Sequence, residues 1–512
     1  MDTEEAPMAG GAAVHVLVFP WPAQGHINPM AHLAVAFAGA GAHVTFLHTD
    51  HNLRRLGSAV AAASPRLRFL SVPDGLPDEH PRSVADILEI GRSLATAGRV
   101  AYRALLASLL QPQPGGHGGA DAGTGAGGGG CFPPVTAVVA DGLLTFAIDI
   151  AEELGVPALA FRTTSACSVL AYLSVPKLFE LGELPFPPGG DLDEPVRGVP
   201  GMEGFLRRRD LPSPFRRHGD DHDVGPMLQP VVEHITQSFK QARAVILNTA
   251  ASLEGPVVAH IAPHARDVYT IGPLHAMSPA PATASAASLW KEDDGCLPWL
   301  DARADRSVVY VSLGSLTVIS LEQFTEFLSG LVAAGHPFLW VLRPDMVAAS
   351  QNAAVQEAVR AAAGNSKAAC VVEWAPQRDV LRHRAVGCFL THAGWNSTLE
   401  AAVEGIPMVC WPFFADQQTN SRFVGGVWRT GLDMKDVCDR AVVERMVRLA
   451  MESGEIRAST QALARQVRRD VAAGGSSARE LKRLVGFIGE LAMPIQCAAI
   501  HDFELLDNSI QS

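Results

Sequence analysis

Short, almost wholly apolar runs punctuate this chain, separated by segments whose apolar residues recur three and four apart. The first such run is "VHVLVFP" (Val14–Pro20). A run without an alternating polar face predicts a strand of a parallel sheet, buried on both sides. The loop "PAQGHINP" follows it. A helix is then predicted with Asn28 as N-cap and Pro29 in the first helical position, ending at Gly39 and Gly41. "HVTFLHT" is the next strand. Strand, short loop, helix, glycine, strand is the order of a doubly wound α/β domain.

The same order returns at "VTAVVADG" (Val135–Gly142), the helix "FAIDIAEEL" and the strand "ALAFRTT". A glycine-rich segment before it, residues 114–130, reads as a loop with too little to bury. Residues 180–225, dominated by proline, glycine and charge, read as irregular structure long enough for a binding loop. Within them, "FLRRRDLPSPFRR" reads as a solvated basic loop. At His275–Ser288 the composition turns to alanine, proline and serine without period, which predicts an interdomain linker.

Beyond the linker the pattern restarts. Strands are predicted at "SVVYVSLGS", "FLWVLRP", "AACVVEW" and "AVGCFL", with helices between them. The expected architecture is therefore α/β, two doubly wound Rossmann-like domains facing a cleft. The first domain is expected over 13–274, the linker over 275–305 and the second domain over 306–474. A helix over 475–492, opened by a Ser477–Glu480 capping box, and a tail over 493–512 complete the chain. The cleft beyond the strands' carboxyl ends is the default ligand site.

Composition narrows the function. A formal net charge of −12 with scattered basic residues argues against a nucleic-acid partner, whose footprint is a clustered basic surface. Eight dispersed cysteines, none in a CxxC pair, read as reduced core thiols. The polar start "MDTEEAPMAGG" is unlike a signal peptide, and no apolar run approaches the ~20 residues of a membrane span. A soluble, cytoplasmic protein is the expectation.

The densest chemistry lies in "THAGWNSTLEAAVEGIP" (Thr391–Pro407). Here a strand ends at His392, and a helix is predicted from Asn396 or Ser397 to Gly405. The unpaired first-turn amides of such a helix form a phosphate seat, to which His392, Asn396 and Ser397 add donors. Glu400, one turn along, suits a pair of ribose hydroxyls. The same Ser397-x-x-Glu400 also reads as an ordinary capping box.

Across Trp374–Gln417, "WAPQRDVLRHRAVGCFLTHAGWNSTLEAAVEGIPMVCWPFFADQ" resembles the plant secondary product glycosyltransferase box of UDP-sugar-dependent glycosyltransferases. The resemblance implies the two-domain GT-B fold over roughly residues 13–490. It implies that Trp374 stacks on uracil and that the main chain near Gln377 meets the base edge, with Ala375 among the donor-binding residues. His392, Asn396 and Ser397 would hold the diphosphate and Glu400 the ribose. Asp416 and Gln417 would bind the sugar hydroxyls, beside Trp395. A glutamine at 417 is the form associated with glucose. Ser312, Gly314 and Ser315 resemble a second diphosphate contact, and Ala393 stands where the family more often has cysteine. "VPGMEGFLRRRDLP" and "FRTTSACSV" resemble the branch acting on iridoids, other terpenoids and cyanohydrins.

Transfer of a sugar to a hydroxyl needs a base, and histidine is the usual one. His26, beside Gly25 in "QGHINP", reads either as a loop residue or as that base. Asp141, closing the strand "VTAVVAD", reads either as a helix N-cap or as the carboxylate that fixes the base. The resemblance favours base and partner, with Gly25 and Thr163 near the sugar or acceptor. It implies in-line displacement giving a β-glucoside, with no metal and no cofactor, by a protein that is commonly monomeric. The partners are then UDP-glucose and an apolar small molecule, a terpenoid, iridoid or phenolic, that accepts the sugar on a hydroxyl or carboxyl group. The alternative reading is a UDP-sugar-binding protein without transfer. Asp191-Leu192-Asp193 and Asp221-His222-Asp223, with His218, lie in polar loops with no strand before them. They read as solvated turns rather than a metal site. No GxGxxG follows the first strand, which sets aside a nicotinamide enzyme.

Overall fold

The computed structural model describes residues 13–56, 65–83, 86–111, 132–187, 189–215, 228–277, 289–293, 295–363 and 368–493. The glycine-rich segment 114–130, Asp221, His218, His222, Asp223, Cys131 and the tail after Met493 lie outside them.

Two parallel sheets organise the chain. The first orders its strands β3-β2-β1-β4-β5-β6-β7. These are β1 (His15–Phe19), β2 (His43–Thr49), β3 (Leu67–Val72), β4 (Ala137–Asp141), β5 (Ala158–Arg162), β6 (Ala244–Leu247) and β7 (Val268–Thr270). The second orders them β10-β9-β8-β11-β12-β13. Here β8 is Val308–Ser312, β9 Phe338–Val341, β10 Ala369–Val372, β11 Val386–Thr391, β12 Met408–Cys410 and β13 Gly431–Asp433. The apolar runs are buried because helices cover both faces of each sheet, so neither face needs polar residues.

In each sheet the strand order reverses once. The first reverses between β1 and β4, which pair through Phe19 and Ala140. The second reverses between β8 and β11, which pair through Ser312 and Thr391. At such a point the connections leave in opposite directions and open a crevice at the carboxyl ends. His26 follows β1, Asp141 ends β4, Ser315 follows β8 and His392 follows β11. Topology alone thus gathers the candidate residues at two crevices.

The first helix differs from expectation. α1 spans Gln24–Gly39 with Ala23 as an N-cap that offers no side-chain bond, so Asn28 does not cap it. Pro29 instead lies inside the helix. Its missing N–H leaves the carbonyl of Gly25, four residues back, without an intrahelical donor. Asn396 Nδ2 supplies one from the other domain at 2.7 Å. His26 consequently sits in the first turn of α1.

Two more readings are corrected. No Ser477–Glu480 capping box forms: Gly475 is the N-cap of the helix Ser476–Leu491. Ser477 Oγ donates to the Gly272 carbonyl at 2.6 Å, while Glu480 pairs with Arg483. Leu484 and Ile488 of this helix enter the core of the first sheet. The described part of "FLRRRDLPSPFRR" is no solvated loop either. Asp210 is 0% exposed, because Arg207 Nε at 2.9 Å and Lys435 Nζ of the second domain at 2.8 Å pair with it. Asp191 and Asp193 do lie exposed in a turn, as expected, with Asp193 paired to Arg207 at 2.8 Å and Arg209 at 2.9 Å. The six described cysteines are free thiols, with Cys167, Cys296, Cys388 and Cys410 buried.

Burial alone would raise the Asp210 carboxyl, but Arg207 and Lys435 hold it below the usual carboxylate range. A carboxyl depressed on folding contributes stability that is complete above its unfolded value of about pH 4 and lost as pH falls through its folded value. The thermal midpoint should therefore fall on acidification below about pH 4. In Asp210→Asn the midpoint is expected to be lower at neutral pH and its further acid-induced fall smaller, as scanning calorimetry would record.

Candidate active site

The two crevices face each other across one cavity of about 320 Å³. Gly25, His26, Thr163, Ser315, Trp374, Ala375, Gln377, His392, Trp395, Asn396, Ser397, Glu400, Asp416 and Gln417 all line it. Asp141 lies behind His26 and is 1% exposed.

On the first-domain side, His26 Nδ1 is 2.6 Å from Asp141 Oδ2 and 3.0 Å from Thr163 Oγ1. Asp141 also accepts from the Leu143 amide at 3.0 Å, but the helix that follows, Thr145–Glu153, has Leu144 as its N-cap with no side-chain bond, so Asp141 pairs with His26 and does not cap that helix. Burial would raise this carboxyl, yet the facing His26 and its hydrogen bond keep it below the ordinary value. An ionised Asp141 on Nδ1 fixes the tautomer with Nε2 unprotonated. Arg162, the last residue of β5, packs its guanidinium against Gly142 and is 4% exposed. Its Nε and Nη1 have no hydrogen-bond partner among the described residues. That buried positive charge adds to the forces keeping Asp141 ionised.

Across the cavity, the helix Trp395–Glu404 begins at Gly394 and presents its free amides. His392 stands beside them. Burial, reinforced by the nearby Arg343 charge and partly opposed by a hydrogen bond to the Ser312 backbone, lowers it to about 4, so at neutral pH it is uncharged and carries one N–H. A β-carbon at Gly394 would lie 2.4 Å from its ring and one at Gly314 2.5 Å. Gly314 also has φ +75°, whereas Gly394 has an ordinary φ of −61°. Glycine at 394 is therefore required by space alone.

Gln377 uses its side chain within the site: Nε2 donates to Ser397 Oγ at 3.0 Å and to Glu400 Oε2 at 2.7 Å. Burial raises the Glu400 carboxyl, and the Gln377 bond only partly offsets it. Asp416 accepts from the Ser165 amide at 3.2 Å and from Asn420 at 2.9 Å. Gln417 Oε1 accepts from the Phe413 and Phe414 amides at 2.8 and 3.1 Å, tying down its own loop. Trp395 lines the cavity but donates its indole N–H to Asn248 O at 2.9 Å, and its ring packs between the domains.

Two contributors escaped the sequence reading. Trp290 stacks on Trp374 with ring centroids 5.6 Å apart and planes 19° apart. Arg343, buried two residues beyond β9, donates to the carbonyls of Gly314 and, at 2.8 Å, Thr317, and so pins the turn after β8. A charged residue closing the apolar run "FLWVLRP" was the available signal, of the same kind that singled out Asp141.

The matching family model is UDP-glucoronosyl and UDP-glucosyl transferase, over residues 231–444. Myricetin 3-O-rhamnoside 1,2-glucosyltransferase of Crocosmia x crocosmiiflora is 42% identical over 494 residues, 96% of this chain and 98% of that one. The chain belongs to the plant UDP-sugar-dependent glycosyltransferase family. A 7-deoxyloganetic acid glucosyltransferase of Catharanthus roseus is 40% identical over 498 residues, covering 94% of this glycosyltransferase and 98% of the relative. Os79 from O. sativa in complex with UDP superposes with a TM-score of 0.73 at 27% identity, over 92% of this chain and 100% of that one. The fold of this glycosyltransferase is accordingly GT-B. None of its described helices is long and apolar enough to cross a membrane.

In this glycosyltransferase, Gly394→Ala must push His392 aside. The overpacking lowers stability by about 1–3 kcal/mol, and displacing a donor to a charged ligand costs about 1.5–3 kcal/mol of binding, so UDP affinity measured by calorimetry should fall about tenfold or more, with the fold kept.

Proposed function

We propose that this chain transfers glucose from UDP-glucose, with inversion, to a hydroxyl of an apolar small molecule. The observation that carries the reading is the His26–Asp141 pair, 2.6 Å apart, facing a helix N-terminus across one cavity. A protein that only bound a nucleotide sugar would have no use for a buried carboxylate behind that histidine.

The acceptor hydroxyl gives its proton to His26 Nε2 as its oxygen attacks C1 of the α-linked donor. Asp141 stabilises the imidazolium that forms. The bond from C1 to the phosphate oxygen breaks, and UDP departs toward the amides of Trp395–Glu404. The helix terminus and His392 stabilise the developing charge, which leaves no step that requires a metal. Trp374, backed by Trp290, stacks on uracil; Ala375 and Gln377 lie at the base edge; Glu400 takes the ribose. Ser315, Asn396 and Ser397 take the diphosphate, and Asp416 and Gln417 take the sugar. The relatives' acceptors, a flavonol rhamnoside and an iridoid acid, support a terpenoid, iridoid or phenolic acceptor here.

The test is proton NMR of the product formed with UDP-glucose in the presence of EDTA. A β-anomeric coupling at undiminished rate is expected. An α-linked product, or loss of activity with the chelator, would contradict the mechanism.

A further inference from the structure

The turn that carries Asp416 and Gln417 belongs to the second domain, yet the first domain holds it. Ala415, just before Asp416, has a left-handed φ of +55°, a conformation an alanine rarely adopts unaided. Ser213 of the first domain bonds both ends of that residue. Its Oγ accepts from the Ala415 amide at 3.0 Å, and its own amide donates to the Ala415 carbonyl at 3.4 Å. The contact continues at Asp210, immediately before Leu211-Pro212, and at Thr419, two residues after Gln417. Thr419 Oγ1 donates to the Asp210 carbonyl at 2.8 Å, and Arg422 Nε donates to the Phe205 carbonyl at 2.8 Å.

Beneath the turn lies the buried Asp210 carboxylate. Arg207 reaches it with Nε at 2.9 Å and Nη2 at 3.0 Å, Lys435 Nζ at 2.8 Å and Arg422 Nε at 3.4 Å. The same Lys435 ammonium donates to the Gln418 carbonyl at 2.8 Å, linking the ion cluster to the turn directly. From the opposite side Asp416 itself accepts from the first-domain Ser165 amide at 3.2 Å. A buried cluster of this kind is a costly way to gain stability, but it fixes register well.

The groups assigned to the nucleotide, Trp374, Gln377, His392, Ser397 and Glu400, sit on second-domain elements outside this clasp. We infer that Asp210 and Ser213 are positioning residues, which set the Ala415–Gln417 turn so that Asp416 and Gln417 meet the donor's sugar. Recognition of the sugar then depends on this clasp, whereas recognition of UDP does not. This rests on the reading of the cavity as a UDP-glucose site.

The experiment compares the KM for UDP-glucose with the Kd for UDP, by steady-state kinetics and calorimetry, on the full chain. Ser213→Ala loses one hydrogen bond to the turn and should raise KM about fivefold with the Kd for UDP unchanged. Ser213→Thr, which keeps the hydroxyl, should restore the wild-type KM. Asp210→Asn should raise KM further, about tenfold or more, since it weakens a charged contact. If Asp210→Asn does not fold, the Ser213 pair still decides. A folded Ser213→Ala protein with wild-type KM would overturn the inference. So would a loss of UDP affinity equal to the rise in KM. Wild-type protein that never turns over UDP-glucose would instead sink the function on which the inference rests.

Discussion

Replacing His26 with alanine should abolish transfer while leaving UDP-glucose bound. The histidine contributes no group to the diphosphate seat, and its Nδ1 is already committed to Asp141 at 2.6 Å. What disappears is the acceptor's proton sink, and general-base catalysis is worth about 10²–10⁴-fold in rate. The expected result is a fall in kcat of that order, with the calorimetric Kd for UDP-glucose within about twofold of wild type. Asp141→Asn should fall in the same direction, because an amide on Nδ1 no longer holds the ring in the productive tautomer or stabilises its cation. Full activity of His26→Ala across the pH range would show that another group takes the proton.

The second large effect belongs to Glu400. Its carboxylate faces the cavity one turn into the helix Trp395–Glu404, held by Gln377 at 2.7 Å. Hydrogen bonds to a charged group contribute about 1.5–3 kcal/mol each. Losing two ribose contacts, less the relief of a desolvated carboxylate, should weaken UDP about 10²-fold in Glu400→Ala. The pH dependence has a definite sign. Burial raises this carboxyl above its ordinary value, so as pH falls the site protonates early and loses acceptor capacity. UDP affinity should drop on acidification before ordinary carboxyls titrate, and Glu400→Gln should flatten that part of the curve. Binding that ignores both the substitution and the pH would remove Glu400 from the donor site.

How much of this was legible depends on the range of the interaction that fixes each feature. The strands were readable because a parallel strand buried on both faces writes its environment into consecutive residues, as "HVLVF" and "AVVAD" do. That His26 could meet Asp141 was legible because both stand at strand ends of one sheet, while the choice of that pairing over a loop histidine and a helix cap came from the family resemblance. The start of α1 was misread because Asn28-Pro29 carries the local signature of a helix start, while the real N-cap, Ala23, carries none. What Pro29 does there, freeing the Gly25 carbonyl for Asn396, involves a residue 371 positions away. The same reason hid Asp210: nothing in "RRRD" announces that Lys435 will pair with it. Ser477-x-x-Glu480 failed as a capping signature because the carbonyl of Gly272 competes for the serine. Nothing in the sequence marks Gly394, and only the position of the His392 ring shows that glycine there is a matter of space.

Transfer of a glucosyl unit from UDP to an acceptor at this cavity should depend on the His26–Asp141 pair. Its most direct test is mass spectrometry of reactions containing UDP-glucose and a panel of terpenoid, iridoid and phenolic alcohols, run beside His26→Ala, with UDP release followed in parallel. A hexose adduct on at least one acceptor is expected, with UDP released in equal amount and both formed at least ~10²-fold more slowly by the variant. UDP-glucose bound but unchanged with every acceptor, or an adduct formed equally well without His26, would contradict this expectation.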